Sequence, residues 1–355
     1  MCWCSLESMN PKENEPLAPF TTLGIGGPAR WFAEAANEAD VAEAAAWAHE
    51  RGAALFVLGG GSNLLVADAG FDGLVLHVRL RGVAAEDAAG GRVFRVAAGE
   101  DWDAFVSRAV AENCAGVECL AGIPGTVGGT PVQNVGAYGQ EVASVIERVR
   151  AFDLEGRGFV EFTAADCGFS YRRSRFNSED RGRYVVTRVD YRLKPGGAAA
   201  IAYLDVQRAI REGRADSEPA LAEVAATVRR IRQRKGMLLV EGDADCRSAG
   251  SFFKNPVIAE AHFAKIAAHG AAPPSFAAGS GMVKVPAAWL IEQVGFRKGY
   301  AMGAAGISSR HTLALVNRGG ATAAEILALA RAIAEAVEAR FGIRLEMEPV
   351  KLGFS

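Results

Sequence analysis

Six glycines fall within the stretch AGIPGTVGGTPVQNVGAYGQE (121–141), and no charged residue precedes Glu141 there. Glycine loses more conformational freedom on folding than any other residue, so a cluster of it requires a steric reason. Positive φ angles, tight turns and a ligand lying on bare backbone amides are three such reasons. The tract therefore predicts either a backbone-lined ligand site or a series of loops in a twisted sheet.

The composition limits the classes of protein to consider. A length of 355 residues predicts roughly two or three domains, and 50% hydrophobic with 23% charged residues is ordinary for a soluble globular chain. A formal net charge of -2 argues against nucleic-acid or membrane-surface binding as the general function. No apolar run reaches the length of a membrane span, and the N-terminus lacks the basic and apolar regions of a signal peptide. We therefore expect a cytoplasmic protein.

The cysteines and histidines predict no metal site. Six cysteines, at positions 2, 4, 114, 119, 167 and 246, form no CxxC pair and no zinc spacing with the five histidines. We interpret them as reduced and mostly buried thiols. Cys2 and Cys4 lie in a polar N-terminal tail, where a frayed segment is expected rather than a metal or redox site.

The first half of the sequence alternates β-rich runs with amphipathic helices. Asn37 has the position of a helix N-cap, and Gly52 lies just beyond the end of that helix. A second helix is predicted over residues 101–113, because its large apolar residues recur at helical spacing. Three strands are predicted between the two helices, at residues 55–58, 73–78 and 93–99.

The second half continues with antiparallel strands and then helices. Strands are predicted on a twisted sheet at residues 145–156, 158–163 and 184–193. A helix is predicted over residues 217–234, and the cations in its last turns complement the helix dipole. The remaining elements are a short helix opened by Pro286, a strand near 313–317, a helix over 322–341 with a Thr322 to Glu325 capping box and Gly342 as its stop, and a terminal strand over 343–353.

The common nucleotide-binding motifs do not account for the glycines. GIGGPA (24–29) matches the GxGxxA dinucleotide fingerprint, but Pro28 and the strand-like RWFAEA after it leave no helix N-terminus for a pyrophosphate. No Walker sequence occurs either. A Rossmann domain is therefore not expected, and a nucleotide cofactor would need another kind of site.

A second glycine-rich loop offers that site. VLGGGSNLLV (57–66) places three glycines, Ser62 and Asn63 between two apolar strands. Consecutive glycine amides can form a concave nest for an anion, and the two polar side chains add further donors. A plain hairpin would need only two such residues. This loop suits a pyrophosphate and the 121–141 tract suits a large flat group, so together they predict a bound dinucleotide such as FAD.

Six ordered blocks of the sequence resemble one enzyme family. The blocks TTLGIGGPARWF, LGGGSNLLV, LAGIPGTVGGTPVQNVGAYGQE, CGFSYRRSRF, AGSFFKNP and PAAWLIEQVGF are similar to those of the UDP-N-acetylenolpyruvoylglucosamine reductase (MurB) family of peptidoglycan synthesis. The resemblance spans nearly the whole chain. It implies an α+β fold, in which a two-part FAD-binding module of the vanillyl-alcohol oxidase/MurB type is joined to a C-terminal α+β substrate-binding domain.

The resemblance also implies a domain organisation and a reaction. Residues 15–85, completed by the C-terminal strand 345–355, would form the first FAD-binding subdomain, residues 86–235 the second, and residues 236–344 the substrate-binding domain. NADPH would reduce non-covalently bound FAD, which would then reduce UDP-N-acetylglucosamine enolpyruvate to UDP-N-acetylmuramate. Neither glycine-rich loop contains a histidine that could tether the flavin.

This reaction requires specific groups around the substrate. Hydride addition to the enol ether leaves negative charge on the adjacent carbon and its carboxylate, so fixed donors must meet that charge and a proton must arrive. By resemblance, Arg172 in SYRRSRF faces the substrate carboxylate, Ser251 in AGSFFKNP donates the proton, and Glu348 assists the nascent enolate. A solvated basic turn and an ordinary strand start are the structural alternatives for the first two.

Neighbouring residues leave two of these assignments open. Arg173 and Arg175 carry the same charge as Arg172, so the choice among the three rests on the resemblance alone. Glu348 stands in the order Glu-Pro-Val-Lys where the family usually has Glu-Val-Arg, so a proline removes a backbone donor and the arginine is missing from its place. Glu346 points to the same strand face and is the alternative carboxylate.

The resemblance assigns further residues to the substrate and the cofactor. Tyr203 in AYLDV matches a tyrosine on an extra loop of one family type, and Lys235 matches a lysine that contacts the same nucleotide. His311 could act as an acid or base, although an ordinary surface histidine is the alternative interpretation. The expected substrate-binding residues are Tyr171, Tyr203, Lys235, Asn255 and Gln293, and the expected FAD-binding residues are Gly59, Gly60, Gly61, Ser62, Asn63, Gly122, Ile123, Pro124, Gly125, Gly128, Gly129, Gly136 and Ala137.

The sequence thus predicts a cytoplasmic FAD-dependent oxidoreductase of peptidoglycan synthesis, and hence of cell-wall biogenesis, cell shape and cell division. Its partner would be a small-molecule UDP-sugar enolpyruvyl ether, and neither a nucleic acid nor a membrane. One alternative is a flavin-dependent oxidase of the same fold. The other is a non-catalytic regulator that binds a sugar nucleotide, and the departure at Pro349 is its only support.

Overall fold

The computed structural model describes residues 9–211, 218–268 and 273–354. Cys2, Cys4 and position 217, the first residue of one predicted helix, lie outside the described residues. The helices are α1 Glu38–Glu50, α2 Trp102–Ala111, α3 Leu204–Arg211, α4 Leu221–Arg234, α5 Glu260–Ala268, α6 Ala287–Gln293 and α7 Ala323–Phe341. The strands are β1 Lys12–Pro16, β2 Pro28–Ala35, β3 Ala54–Leu58, β4 Leu64–Val66, β5 Phe71–Val78, β6 Val83–Ala88, β7 Gly91–Ala97, β8 Cys114–Ala115, β9 Gly136–Ala137, β10 Gln140–Glu141, β11 Ile146–Asp153, β12 Gly158–Thr163, β13 Tyr184–Pro195, β14 Val257–Ala259, β15 Phe276–Ala277, β16 Met282–Lys284, β17 Ala301–Met302, β18 Ala305–Ile307, β19 Leu315–Asn317 and β20 Val350–Leu352.

The chain divides into two compact units, each with its own apolar core. The first unit contains the chain up to Glu15 together with Ala29–Gly60 and Asp72–Gln233. The second contains Pro16–Pro28, Gly61–Phe71 and the chain from residue 234 onward. Both units mix helices and strands, as an α+β fold requires. The finer division into three domains stays a prediction.

The largest sheet of the first unit has the strand order β12-β11-β13-β7-β6, with β8 also paired to β13. Neighbouring strands run antiparallel, as the sequence predicts for residues 145–193. The rings of Trp102 and Phe105 on α2 lie 5.7 and 5.0 Å from the ring of Tyr191 on β13. Asp101 caps α2 by accepting a 2.7 Å hydrogen bond from the amide of Ala104. This packing fixes the start of α2, where the amide of Trp102 donates to the carbonyl of Gly125 over 3.1 Å.

A second sheet of the first unit has the order β1-β2-β5-β3, and α1 packs against β3. Asn37 and Asp40 form a capping box at the start of α1, which confirms the predicted N-cap. β2 begins at Pro28, so the GIGGPA segment leads into a strand rather than a helix. The interpretation that this segment is not a dinucleotide fingerprint is therefore confirmed.

The second unit contains α7 with the capping box that the sequence predicts. Thr322 and Glu325 exchange the two capping hydrogen bonds, and Gly342 ends the helix with a φ of 63°. The carboxylate of Asp68 accepts a further hydrogen bond of 2.7 Å from the amide of Ala323. A carboxylate at this end of a helix also interacts favourably with the helix dipole.

The C-terminal strand joins the strand that follows the GGGSN loop. β20 pairs in parallel with β4, whereas β3 pairs with β5, so the loop from 59 to 63 is not a hairpin. The strand predicted over 343–353 is shorter than expected, because only β20 and an isolated bridge between Met347 and Phe253 form there. Pro349 lies between the two pairings and has no amide hydrogen to donate.

Other predictions are corrected or confirmed at specific elements. α4 begins at Leu221, later than predicted, and α3 and α5 have no counterpart in the predicted elements. Cys114, Cys119, Cys167 and Cys246 are free and buried, as predicted. Burial raises the pKa of the Cys119 and Cys167 thiols to about 12, so both stay protonated at neutral pH. None of the helices within the described ranges is long and apolar enough to span a membrane.

Candidate active site

A buried pair of hydroxyl groups fixes the glycine tract to the main sheet of the first unit. Thr130 Oγ1 donates to the carbonyl of Val127 over 2.8 Å and lies 2.6 Å from the hydroxyl of Tyr191. Because Thr130 has only one hydroxyl hydrogen, the Tyr191 hydroxyl donates in the second contact. Burial raises the pKa of Tyr191, which keeps that hydroxyl protonated. The short 3-10 helix Val127–Gly129 is therefore anchored on β13.

Close backbone packing explains several glycines of the first unit. A Cβ atom at Gly60 would lie 2.6 Å from the Cα of Gly125, and one at Gly59 would lie 2.7 Å from Thr126 Oγ1. Gly122 and Gly125 have φ angles of 75° and 127°, which side chains rarely allow. The loop interpretation therefore accounts for part of the tract without any ligand.

The same loops also present backbone donors that fit a nucleotide cofactor. Across residues 9–211, 218–268 and 273–354, no protein group accepts a hydrogen bond from the amides of Gly60, Ile123 or Gly125. At Gly129, an added Cβ atom would meet no atom within 4 Å, so this side of the tract is open. Loop amides without a protein acceptor can bind anions such as phosphate. The residues present therefore fit FAD, with these three amides as its candidate donors.

Charged side chains hold Gly122 from both sides. Its amide donates to Asp103 Oδ1 over 2.6 Å, and its carbonyl accepts from Arg232 Nε over 2.9 Å. Arg229 binds the carboxylate of Asp103 through both terminal guanidinium nitrogens. Burial lowers the pKa of Arg232, which is 6% exposed. α2 and α4 thus fix the peptide planes on either side of Gly122.

Arg232 is one of the cations in the last turns of α4 that are predicted to complement the helix dipole. In the structure it lies inside the first unit and binds the glycine tract directly. It follows Val228 by four residues and Val224 by eight, so it belongs to the buried face of α4. A cation at an apolar position of the helical repeat is the signal that identifies it in the sequence.

Arg172 lies in a tight turn of the first unit. Ser170 and Arg173 exchange two backbone hydrogen bonds of 3.0 Å across the turn. Arg172 has a φ of 57°, which is uncommon for a residue other than glycine. Its Nη2 donates to the carbonyl of Gly136 over 2.8 Å, and a Cβ atom at Gly136 would lie 3.4 Å from its Nη1. The guanidinium therefore lies against the glycine tract.

The two neighbouring arginines are engaged with carboxylates outside this contact. Arg173 pairs with Glu179 over 2.5 Å, and both side chains are more than half exposed. Arg175 Nε pairs with Asp180 over 2.7 Å. Tyr171 is exposed, with its ring 5.4 Å from the Cζ of Arg172. Of the three arginines, Arg172 is thus the one that contacts the glycine tract.

In the second unit, the Ser251 segment pairs with the Glu348 segment. Phe253 and Met347 form an antiparallel bridge, and the amide of Glu348 donates to the carbonyl of Phe252 over 2.9 Å. The hydroxyl of Ser251 has no hydrogen-bond partner among the described residues and is partly exposed. The structure therefore brings Ser251 and Glu348 onto adjacent segments, while Arg172 belongs to the first unit.

The GGGSN loop adjoins the same pairing in the second unit. The carbonyl of Asn63 accepts from the amide of Val350 over 3.0 Å, and Asn63 Nδ2 donates to the carbonyl of Glu348 over 3.4 Å. The missing amide hydrogen of Pro349 therefore removes no contact here, because Val350 supplies the donor. Glu346 instead forms an ion pair with Lys254, and its side chain is 71% exposed.

The other predicted substrate residues have more ordinary surroundings. Asn255 Oδ1 accepts from the amide of Ala287 over 2.9 Å and so supports the start of α6, whose N-cap is Pro286. The carbonyl of Gln293, at the end of α6, accepts from Arg340 Nη1. Lys235 follows the last residue of α4. His311 lies in a turn where its carbonyl accepts from Ala314. In the ranges that the structure describes, no cluster of His, Cys, Asp and Glu could hold a metal ion.

Comparison with known proteins identifies the family. Residues 29–159 match the FAD binding domain, and residues 242–352 match the C-terminal domain of UDP-N-acetylenolpyruvoylglucosamine reductase. The reductase of Streptomyces coelicolor is 46% identical, covering 98% of this chain and 92% of its own length. The chain belongs to the UDP-N-acetylenolpyruvoylglucosamine reductase family. The reductase of Thermobifida fusca is 45% identical, with 96% of this chain and 97% of the relative covered.

A solved structure agrees with this assignment. The MurB reductase of Thermus caldophilus superposes with a TM-score of 0.67 at 27% identity, covering 97% of this chain and all of the other. The predicted fold class, an FAD-binding module followed by a MurB C-terminal domain, is confirmed. As a member of this family, the chain is an FAD-dependent oxidoreductase of peptidoglycan precursor synthesis.

Proposed function

We propose that this reductase uses NADPH to reduce the enolpyruvyl ether of UDP-N-acetylglucosamine to UDP-N-acetylmuramate. Bound FAD would supply the hydride-transfer chemistry that couples oxidation of NADPH to reduction of the substrate double bond. The pairing of the Ser251 and Glu348 segments in the second unit supports this reaction best. A free hydroxyl and a carboxylate on adjacent segments are the groups that a protonation step needs.

Backbone groups of the glycine-rich loops would hold the cofactor. The amides of Gly60, Ile123 and Gly125 would be its hydrogen-bond donors, and the open face at Gly129 would leave room for it. Asp103 and Arg232 keep the Gly122 peptide planes in one orientation. The loop is therefore organised before FAD binds, which limits the entropy lost on binding. The other proposed FAD-binding residues are Gly59, Gly61, Ser62, Asn63, Gly122, Pro124, Gly128, Gly136 and Ala137.

Three side chains would act on the substrate. The planar guanidinium of Arg172 binds the substrate carboxylate, where charge accumulates as hydride arrives. The hydroxyl of Ser251 delivers the proton to the carbon that carries the negative charge. Glu348 lies on the paired segment and stabilises the proton relay that a serine requires, since a hydroxyl is a weak acid in water. Glu346 is not assigned this role, because it pairs with Lys254 on an exposed face.

The remaining proposed substrate residues are Tyr171, Tyr203, Lys235, Asn255 and Gln293, which would contact the UDP-sugar. The exposed rings of Tyr171 and Tyr203 are available to a ligand. The oxygen of Asn255 already supports α6, so its amide nitrogen would be the contact. A cytoplasmic location is also proposed, and the cysteines within the described residues, which are free and buried, suit a reducing compartment.

Anaerobic reduction and reoxidation test the proposal. The purified protein should be yellow, should bleach with NADPH, and should regain its colour when the enolpyruvyl UDP-sugar is added. Colour that returns only with air would identify a flavin-dependent oxidase instead. A colourless protein that cannot take up FAD would identify a sugar-nucleotide-binding regulator without turnover.

A further inference from the structure

We propose that Glu118, together with Gln140, positions the segment that carries Tyr203. This inference rests on the proposed role of Tyr203 in substrate binding. Glu118 is fully buried, and its two carboxylate oxygens accept hydrogen bonds from the amide of Gly116, from Gln140 Nε2 and from the amide of Ala200, over 2.7, 2.7 and 3.2 Å. The two side-chain oxygens of Glu118 therefore act as acceptors for three N–H donors.

Gln140 extends this contact to the hairpin that supports Arg172. Its Oε1 accepts from the amide of Cys119 over 2.7 Å, while its backbone lies on β10, which pairs with β9. The turn between these strands is formed by Tyr138 and Gly139, with φ angles of 50° and 85°. Gly136 on β9 provides the carbonyl to which Arg172 donates. One buried pair thus fixes both the 116–120 segment and the hairpin.

The segment before α3 lies directly on this hairpin. A Cβ atom at Gly139 would be 2.9 Å from the Cβ of Ala202, so only a residue without a side chain allows this approach. The ring of Tyr203 meets the ring of Tyr138 edge-on, with centroids 5.5 Å apart. Gln207 Nε2 donates to the carbonyl of Ile201 over 2.9 Å and ties the segment to α3.

Burial of a carboxyl group has a desolvation cost that an apolar contact would avoid. Such a buried polar group adds little to the free energy of unfolding. Its hydrogen bonds are directional, however, and so they specify one arrangement of the segments that donate them. Glu118 contacts three chain segments at once: its own segment at Gly116, the hairpin against which Arg172 donates, and the segment at Ala200 that leads to Tyr203. We therefore assign Glu118 as a positioning residue for substrate binding, with no part in hydride or proton transfer.

The test compares substrate binding with flavin reduction in Glu118→Gln holoenzyme. In this variant an NH₂ group replaces one carboxylate oxygen. That group cannot accept a hydrogen bond, so the contact with the amide of Ala200 or of Gly116 is lost. We expect the Kd of the enolpyruvyl UDP-sugar, titrated by the flavin absorbance change, to rise about tenfold, equivalent to about 1.4 kcal/mol. The rate of flavin reduction by NADPH and the limiting rate of reoxidation at saturating substrate should stay unchanged.

Two further variants separate the possible outcomes. Asp153→Asn is the matched control, since Asp153 is a buried carboxylate of the same unit that contacts Arg183 and not the hairpin. It should leave the substrate Kd unchanged, and an equal rise in that control would overturn the proposal. Tyr203→Ala should raise the Kd, and adding Glu118→Gln to it should produce little further change.

The proposed function and the positioning role fail in different ways. If Tyr203→Ala leaves the Kd unchanged, the assigned role of Tyr203 is wrong. If Tyr203→Ala raises the Kd and Glu118→Gln does not, the positioning role is wrong. If Glu118→Gln yields no folded holoenzyme, Gln140→Met replaces it, because that variant removes the amide between Glu118 and Cys119 and retains the other contacts. The same criteria then apply.

Discussion

The amide of Glu348 donates a hydrogen bond of 2.9 Å to the carbonyl of Phe252, the residue that follows Ser251. The pairing continues at the amide of Lys254, which donates to the carbonyl of Glu346 over 2.9 Å. Two segments that are distant in sequence are thus held in one short antiparallel register. Within the second unit, this register fixes the position of the proposed proton donor relative to the proposed carboxylate.

Removal of the Ser251 hydroxyl should affect one half-reaction only. In Ser251→Ala, the rate of flavin reduction by NADPH should stay near the wild-type value, since no proton from Ser251 is needed there. Reoxidation by the enolpyruvyl substrate should slow by about 10²- to 10⁴-fold, the usual contribution of a positioned acid. Anaerobic stopped-flow absorbance measures both rates. Equal losses in the two half-reactions would remove the assignment of Ser251 as the acid.

The two carboxylates of the 346–348 segment should differ in their effect on rate. Glu348→Gln should slow reoxidation by substrate at least about tenfold, because the proton relay loses its negative charge. Glu346→Gln serves as the matched control, since it removes only an exposed ion pair with Lys254, typically worth about 0 to 1 kcal/mol. A larger loss in Glu346→Gln than in Glu348→Gln would reverse the assignment.

Sequence patterns predicted the elements that have local signals. The capping boxes at Asn37 and Thr322 and the stop at Gly342 are recognisable because a cap needs only residues within one turn of the helix. The three antiparallel strands follow in the same way from their apolar spacing. The GGGSN loop was distinguishable from a hairpin because it has more turn residues than a hairpin uses.

Contacts between distant segments could not be predicted from such patterns. The register that joins Ser251 to Glu348 depends on the pairing of residues almost a hundred positions apart, for which a single sequence gives no signal. The carboxylate of Glu118 looks like any surface glutamate until three segments are seen to converge on it. Arg232 is the intermediate case. Its place in the helical repeat indicates that it is buried, but the repeat does not indicate that it binds the carbonyl of Gly122.

The shape of the Arg172 side chain should matter as much as its charge. Arg172→Lys keeps the positive charge but loses the planar fork, one arm of which binds the carbonyl of Gly136. We expect the KM for the enolpyruvyl substrate to rise about tenfold or more, equivalent to the 1.5–3 kcal/mol of a charged hydrogen bond. Steady-state kinetics at saturating NADPH measure this change. Arg173→Lys should have little effect, and a similar loss there would show that the basic turn acts only through its overall charge.

The ion pair of Asp153 with Arg183 should make stability depend on pH in acid. Both guanidinium contacts, 2.9 and 2.7 Å long, hold the pKa of the Asp153 carboxyl at about 2. An unfolded aspartate titrates near pH 4, so the contribution is present above about pH 4 and is lost as the pH falls toward 2. Asp153→Asn should therefore lower the free energy of unfolding by about 1 to 2 kcal/mol at pH 7, allowing for the partly exposed arginine. Urea unfolding at pH 7 and near pH 2 checks this, and a difference that persists undiminished at low pH would contradict it.

Alanine at Gly129 should distinguish a ligand-lined tract from ordinary loop packing. A Cβ atom at Gly129 would meet no protein atom within 4 Å, and the residue has no positive φ angle, so Gly129→Ala should fold normally. If the flavin nucleotide lies on this face, the added methyl group takes space from it, and the Kd of FAD should rise about tenfold or more. Gly158→Ala is the matched control, since its nearest protein atom is 4.0 Å from an added Cβ atom and it belongs to β12 rather than to the 121–141 tract. Fluorescence titration of the apoprotein with FAD measures both variants, and equal affinities for FAD would show that the flavin does not rest on the glycine tract at Gly129.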